Sequence, residues 1–191
     1  MKATIDQIAA GENAWVSVCS VVSVRDTLEL GIVVRQGKRG RILSRWTIRC
    51  VGIREVSLSD FDGGGLRLYT RTHPVARQCS DASATIRLSG VTDAVRILGV
   101  LMQAHVAAVD DWIPFDRYCP SLPTEGKSFV LRGPAFLLRR YAIALRVAGY
   151  HPRMAIRAKA ASAQRYVALH FGASYVVARA FEVLKAAVDI K

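Results

Sequence analysis

Between Gly90 and Tyr118 the chain reads GVTDAVRILGVLMQAHVAAVDDWIPFDRY, its longest apolar run with helical spacing. Val95, Leu98, Leu101, Met102, His105, Val106 and Val109 recur at steps of three and four, the period of an α-helix. Thr92 or Asp93 can cap the start, because a short oxygen-bearing side chain accepts from the free N–H groups of a first turn. Asp110 and Asp111 oppose the negative end of the helix dipole, and Pro114 bars any continuation. The polar residues Arg96, Gln103 and Asp110 form one narrow stripe. A helix with so little polar surface is expected to be buried on most sides. The aromatic residues Trp112, Phe115 and Tyr118 are expected to fold back onto the core.

Around this central helix the sequence predicts an α+β protein with an N-terminal antiparallel β-sheet or small barrel and a C-terminal basic α+β segment. Strands are expected at Ala14 to Val24, Leu28 to Arg35, Ile42 to Cys50, Ile53 to Leu58, Leu66 to Thr70 and Ala84 to Ser89, where β-branched residues alternate with polar ones. The glycine-punctuated RQGKRGR from Arg35 to Arg41 predicts a hairpin tip. The central helix is expected to plug one open face of the curled sheet. Cys119 to Glu125 (CPSLPTE) is a Pro-rich connector, so the chain divides into 1–118 and 126–191, either two segments or one continuous core. In the second segment, a short strand at Ser128 to Leu131 precedes a helix that starts at Gly133-Pro134 and stops at Gly149. Arg153 to Arg157 and Tyr166 to Phe171 read as strands, and Tyr175 to Val188 as a final amphipathic helix. The first residues, 1–13, predict a short helical or irregular lead.

Charge is the most informative functional signal. The chain of 191 residues carries a formal net charge of +12. Met1 to Glu125 holds 15 Lys/Arg against 13 Asp/Glu, but Gly126 to Phe181 holds 10 Lys/Arg and no acidic residue. A second acid-free run covers Leu30 to Arg54. Solvated surfaces mix signs, so two unmixed positive segments point to an anionic partner. The candidates are Lys38, Arg39 and Arg41 at the hairpin tip, and Arg132, Arg139, Arg140, Arg146, Arg153, Arg157, Lys159 and Arg165 in the later run. Tyr141, Tyr150 and Tyr166 are interleaved with the later run, as a single-strand stacking surface requires. The competing expectation is that Asp60, Asp62, Asp110, Asp111 and Asp116 pair with these arginines and cancel their field. No zinc-finger or RNP1 pattern is present, so binding is expected to be backbone-directed and salt-sensitive.

Other chemistries find less in the chain. His105 with Asp110, Asp111 and Asp116 matches no metal-ligand spacing, so neither a metal nor a cofactor is expected. Asp60-Phe-Asp-Gly-Gly-Gly65 opens like a calcium loop, but Arg71 occupies the twelfth place, where a Glu is needed. Arg41 and Arg45, then Asp60 and Gly65, are spaced as in the Arg-x-x-x-Arg and Asp-x-Ser-x-x-Gly pair of PilZ domains, and the stretch faintly resembles that family. The resemblance implies a small barrel that binds cyclic diguanylate. Asp62 replaces the Ser, the interval is short, and a long helix arrives where more barrel strands should follow. Cys19, Cys50, Cys79 and Cys119 contain no CxxC pair, and no GxSxG, P-loop or GxGxxG occurs. The N-terminus shows no signal sequence and no run is long enough to span a membrane, so reduced thiols, a cytoplasmic location and no membrane partner are expected.

The sequence thus leads to a non-catalytic binding protein for an anionic partner, nucleic acid before an acidic protein surface. The first alternative is an accessory subunit or homo-oligomer joined through its apolar helices. The second is a small enzyme or PilZ-like nucleotide-binding domain.

Overall fold

Alternation of apolar and polar residues sets the first sheet. The structure, a computed structural model, describes Ile5 and residues 14–59, 62–63, 65–70, 72–157 and 165–185. Outside these lie most of the expected N-terminal lead, the segment 158–164 with its candidate Lys159, and Asp60 and Arg71 of the loop motifs. Strands β1 (Ala14–Val24), β2 (Thr27–Gln36) and β3 (Ile42–Ser57) form an antiparallel meander. In β2 every second residue, Leu28, Leu30, Ile32 and Val34, is buried. A period of two places all four on one face of the pleat. Two strands were expected over residues 42–58, but β3 runs unbroken, because its ladder takes up Arg54 as an extra residue where the register shifts opposite Val177 and Ala178.

The chain leaves this sheet after β4 (Asp62–Gly63) and β5 (Leu66–Tyr69), and returns to it far downstream as β9 (Val167–Phe171) and β10 (Ser174–Lys185). Among the described residues the sheet has seven strands, counting the two-residue β4, in the order β4-β1-β2-β3-β10-β9-β5. Its order ends on β4 and β5, so it is an open sheet and not the small barrel held as an alternative. The final helix expected from Tyr175 onward is instead strand β10. β10 pairs with β3 on one side and β9 on the other, and Val176, Val177, Ala178 and Phe181 are buried. That two-sided pairing outweighs the helix propensity of its Ala, Glu, Leu and Lys residues.

The intervening chain builds a second layered structure. β6 (Ser83–Leu88) lies between β7 (Phe129–Pro134) and β8 (Arg153–Ile156) in an antiparallel three-stranded sheet. Helix α1 (Pro74–Ser80) precedes it, and helices α2 (Ala94–Val109) and α3 (Ala135–Val147) accompany it. α1 was not anticipated, although Pro74 suits a first helical position. Chain contacts divide the protein into one unit of Met1–Ala76 with Gln164–Lys191, and another of Arg77–Ala163. The Pro-rich connector at 119–125 lies inside the second unit.

α2 belongs to the core of this second unit, where Ile97 and Leu101 pack with Ile86, Leu88, Leu131, Leu137 and Leu145. Its buried residues belong to this core and not to the core of the N-terminal sheet, where the sequence had placed them. Asp93 caps it, accepting from the Arg96 N–H at 2.8 Å. Its burial is one-sided: Ile97, Leu101, His105 and Val109 are buried, but Val95 is 82% exposed, Val106 55% and Met102 48%. Trp112, Phe115 and Tyr118 pack back against the core, as their sequence position suggested. α3 begins after Pro134, and the Asp81 carboxylate accepts from the Phe136 N–H at 2.5 Å, a cap supplied from outside the helix. At its other end Tyr150 N–H donates to Leu145 at 2.9 Å and Gly149 N–H to Arg146 at 3.0 Å. This is a Schellman stop, and Gly149 takes the positive φ of 90° that it requires.

One polar bridge crosses this core. His105 Nε2–H donates to the Ile113 carbonyl at 2.6 Å, and since that carbonyl can only accept, Nδ1 is left to accept from the Tyr141 hydroxyl at 2.7 Å. Both side chains are buried, and burial pushes the Tyr141 phenol well above its ordinary value. Tyr141→Phe leaves the His105 nitrogen without a donor and is expected to lower stability by about 1–3 kcal/mol in urea unfolding. An unchanged midpoint and slope would mean that the bridge contributes nothing.

Candidate anion-binding surfaces

The outer face of the three-stranded sheet follows from the same alternation that fills its core. Ala84, Ile86 and Leu88 of β6 point inward with Phe129 and Leu131 of β7. The intervening residues must point the other way. Arg87 is exposed on the central strand, directly opposite Arg153 on β8 and Val130 on β7. Arg132 faces Thr85, one pair further along, and is exposed. Arg157 lies just beyond β8, four residues from Arg153, with its N–H bonded to Ser83 at 2.9 Å. Four exposed guanidiniums thus share one face. Arg87 and Arg153 are directly opposed, with Cβ atoms ~5 Å apart, and Arg132 is a diagonal neighbour at ~7–8 Å.

No acidic residue occurs in β6, β7 or β8. The acidic residues expected to neutralise the basic run lie elsewhere: Asp110 and Asp111 in a 3-10 turn after α2, and Asp116 in the next one. Asp81 and Asp93 are engaged at helix starts. Among the described residues the two ion pairs are both made by Arg49, with Glu29 at 2.9 Å and Glu182 at 3.4 Å. None of the candidate arginines pairs with a described carboxylate.

The remaining candidates separate into other groups. Arg139, Arg140 and Arg146 are exposed on α3, whose apolar side packs into the core behind the inner face of the sheet, so they are not brought onto the arginine face. Arg165 is exposed but belongs to the other unit, before β9. Lys38, Arg39 and Arg41 are exposed at the β2–β3 hairpin tip, closed by the Gln36 N–H on the Arg41 carbonyl at 2.9 Å. The chain folds so tightly there that a Cβ on Gly40 would stand 1.7 Å from the Gln36 carbonyl oxygen. Lys38 is drawn back over Trp15, 5.6 Å from a ring centroid. The interleaved tyrosines do not form a surface: Tyr141 and Tyr166 are buried, because each fills a core position. Tyr150 alone is half-exposed. Arg87, absent from the expected set, was marked only by its place between two inward residues of a strand.

Two cavities stand out among the described residues. One of about 660 Å³ is lined by Arg67, Tyr69, Thr70, Thr72 and His73, with the Tyr69 and His73 rings stacked at 3.8 Å. The other, of about 330 Å³, lies in the second unit between the end of β6 and the residues after α3. Neither cavity is lined by a cysteine. Burial pushes the Cys50 thiol up to about 12 and also raises that of Cys119, which keeps both in the unreactive thiol form. Among the described residues no group of three or more His, Cys, Asp or Glu could hold a metal, and no helix is long and apolar enough to cross a membrane. The open sheet also lacks the closed barrel that a PilZ domain implies. No protein-family model, curated protein or solved structure matches the chain.

Two histidines of the first unit fix a pH response. His73 is held below the ordinary value of 6.5 by burial and then by the charge of His170. His170 is likewise lowered by burial, then by Arg67. Each therefore binds its proton more readily in the unfolded chain, so stability present above ~6.5 is lost as pH falls through that value toward the folded pKa. Urea midpoints are expected to drop between about pH 7 and pH 5, and to drop less in the double variant His73→Gln, His170→Gln. Equal drops in both proteins would assign the acid sensitivity to other groups.

Proposed function

We propose that the chain is a non-catalytic binding protein for an anionic polymer, nucleic acid in the first place, held through its phosphates. The observation that carries this reading is the carboxylate-free face bearing Arg87, Arg132, Arg153 and Arg157. Charged side chains on edge strands also guard against sheet-to-sheet aggregation, which accounts for arginines on β7 and β8. It does not account for Arg87, because β6 is the central strand and has no free edge. Like charges directly opposite one another weaken a sheet, so the Arg87–Arg153 pair works against folding and in favour of an anion. Guanidinium forks suit phosphate oxygens, and strands hold them at fixed spacing. The α3 arginines and the hairpin tip Lys38, Arg39 and Arg41 add positive field that steers an anion from a distance.

Binding of this kind is expected for any sequence and to weaken with salt, because each neutralised phosphate releases counterions. In a titration with labelled oligonucleotides, Arg87→Ala with Arg132→Ala should lower affinity equally for all sequences and reduce the slope of log K against log salt by about 2, one for each lost contact. Arg139→Ala with Arg140→Ala should change that slope less. A sheet-face double variant that binds as wild type does would overturn the assignment to this face.

A second reading rests on α2. Its exposed Val95, Met102 and Val106 fall on one helical stripe, with Gly99 facing open space between them. The occupant that fits is a second copy of the chain. Exposed Arg96 and Asp110 stand seven residues either side of Gln103, so two α2 helices crossing antiparallel about a twofold axis near Gln103 bring each Arg96 to the partner helix's Asp110. Light scattering should then give a mass that rises with concentration in wild type and stays monomeric in Met102→Glu. A monomeric wild type at every concentration would remove this reading.

A further inference from the structure

The cavity of about 330 Å³ in the second unit adjoins the arginine face through a shared residue, Arg153. Its apolar part is made by Leu88, Val91 and Ile97, and its rim by Tyr150, His151 and Arg153. Of the three tyrosines interleaved with the basic run, Tyr141, Tyr150 and Tyr166, Tyr150 is the one not buried, and it follows the Schellman stop of α3, which fixes its backbone through the Leu145 carbonyl. Arg96 of α2 stands 6.0 Å from its ring centroid, and Arg153 of β8 lines the same cavity. The volume is at the small end of the range for ligand cavities. It suits a flat, largely apolar group that carries an anion beside it, and a nucleobase joined to its phosphate has that chemistry.

We infer that this cavity takes one unpaired nucleobase, set against Tyr150, while the phosphates of the same strand run along Arg153 and Arg87. The inference rests on the nucleic-acid reading above and narrows it to single strands. In a duplex the bases are stacked and paired, and entering the cavity would require extruding one at a cost of a few kcal/mol. Phosphate contacts alone do not distinguish the two forms in this way. The base adds a contribution that salt does not screen, because stacking is not a charge–charge contact.

The test compares four probes on the full chain, each titrated at the same series of salt concentrations from low to physiological: a single-stranded oligonucleotide, its duplex, an abasic sugar–phosphate strand of equal length, and a mononucleotide. Wild type is expected to bind the single strand about 5- to 150-fold more tightly than the abasic strand, the effect of one stacked base. Tyr150→Leu retains an apolar side chain for the core contact but loses the aromatic face. It should erase that difference while leaving abasic binding and the salt slope unchanged. Circular dichroism checks that the variant is folded, and the wild-type comparison of probes needs no variant at all. Equal wild-type affinity for single and abasic strands would overturn the inference and leave the phosphate reading standing. Failure of every polymeric probe to bind at low salt would overturn both. Mononucleotide binding as tight as the oligonucleotide would replace the strand by a free nucleotide as the ligand.

Discussion

The pairing of β10 with β3 is the constraint on which the first unit depends. It joins Ser57 to Tyr175 and Trp46 to Lys185, residues more than a hundred positions apart in sequence. Until the chain returns, β3 has only β2 beside it, and β5 has no neighbour at all. Phe181 and Val176 then complete the apolar face begun by Leu28, Leu30 and Ile48. Contacts of such separation are closed late, because loop entropy must be overcome before they stabilise anything. The second unit has no such debt to the chain ends. Its three strands and the helices α2 and α3 come from 77–163 alone, with their own core.

The arginine face is as much a matter of where the acids lie as of where the arginines lie. In the first unit, Glu29 and Glu182 flank Arg49 in a row across β2, β3 and β10, and Glu55 accepts from the Tyr175 hydroxyl at 2.5 Å. In the second, Asp81 and Asp93 satisfy the N–H groups of α3 and α2. These carboxylates do structural work at sites set by the backbone, so they are not distributed to balance the exposed sheet face. A surface ion pair contributes little to stability, so the fold does not depend on such pairs across the arginine face.

Local signals were legible where a single backbone group decides the outcome. Asp93 as a cap, Gly149 as a stop and the hairpin tip at 35–41 each rest on chemistry within a few residues. The antiparallel sheet was legible because β2 alternates from Thr27 to Ile32 and β3 from Thr47 to Cys50. β10 was not, since its identity is decided by partners on both sides that lie far away in sequence. Apolar content likewise overstated the burial of α2: Val95, Met102 and Val106 are apolar but exposed. The basic run from Gly126 was visible as composition, but composition has no faces. It grouped Arg139 and Arg165 with Arg153 and Arg157, and passed over Arg87 because that residue sits outside the run. The tyrosines were misjudged for a related reason: an aromatic among arginines serves a core as readily as a ligand, and Tyr141 and Tyr166 do the former.

A sheet face and a helix face present arginines to a polyanion in different ways. On α3, Arg139 and Arg140 are adjacent and point in directions about 100° apart, while Arg146 lies nearly two turns on. On the three-stranded sheet, Arg87, Arg132 and Arg153 rise from one pleated surface, with separations set by ladder register. The sheet therefore holds several guanidiniums on one face of a common scaffold. The α3 arginines, though their helix is anchored in the core through Leu137, Tyr141 and Leu145, diverge around its exposed side. This difference, rather than the number of positive charges, makes the sheet the stronger candidate for the binding face.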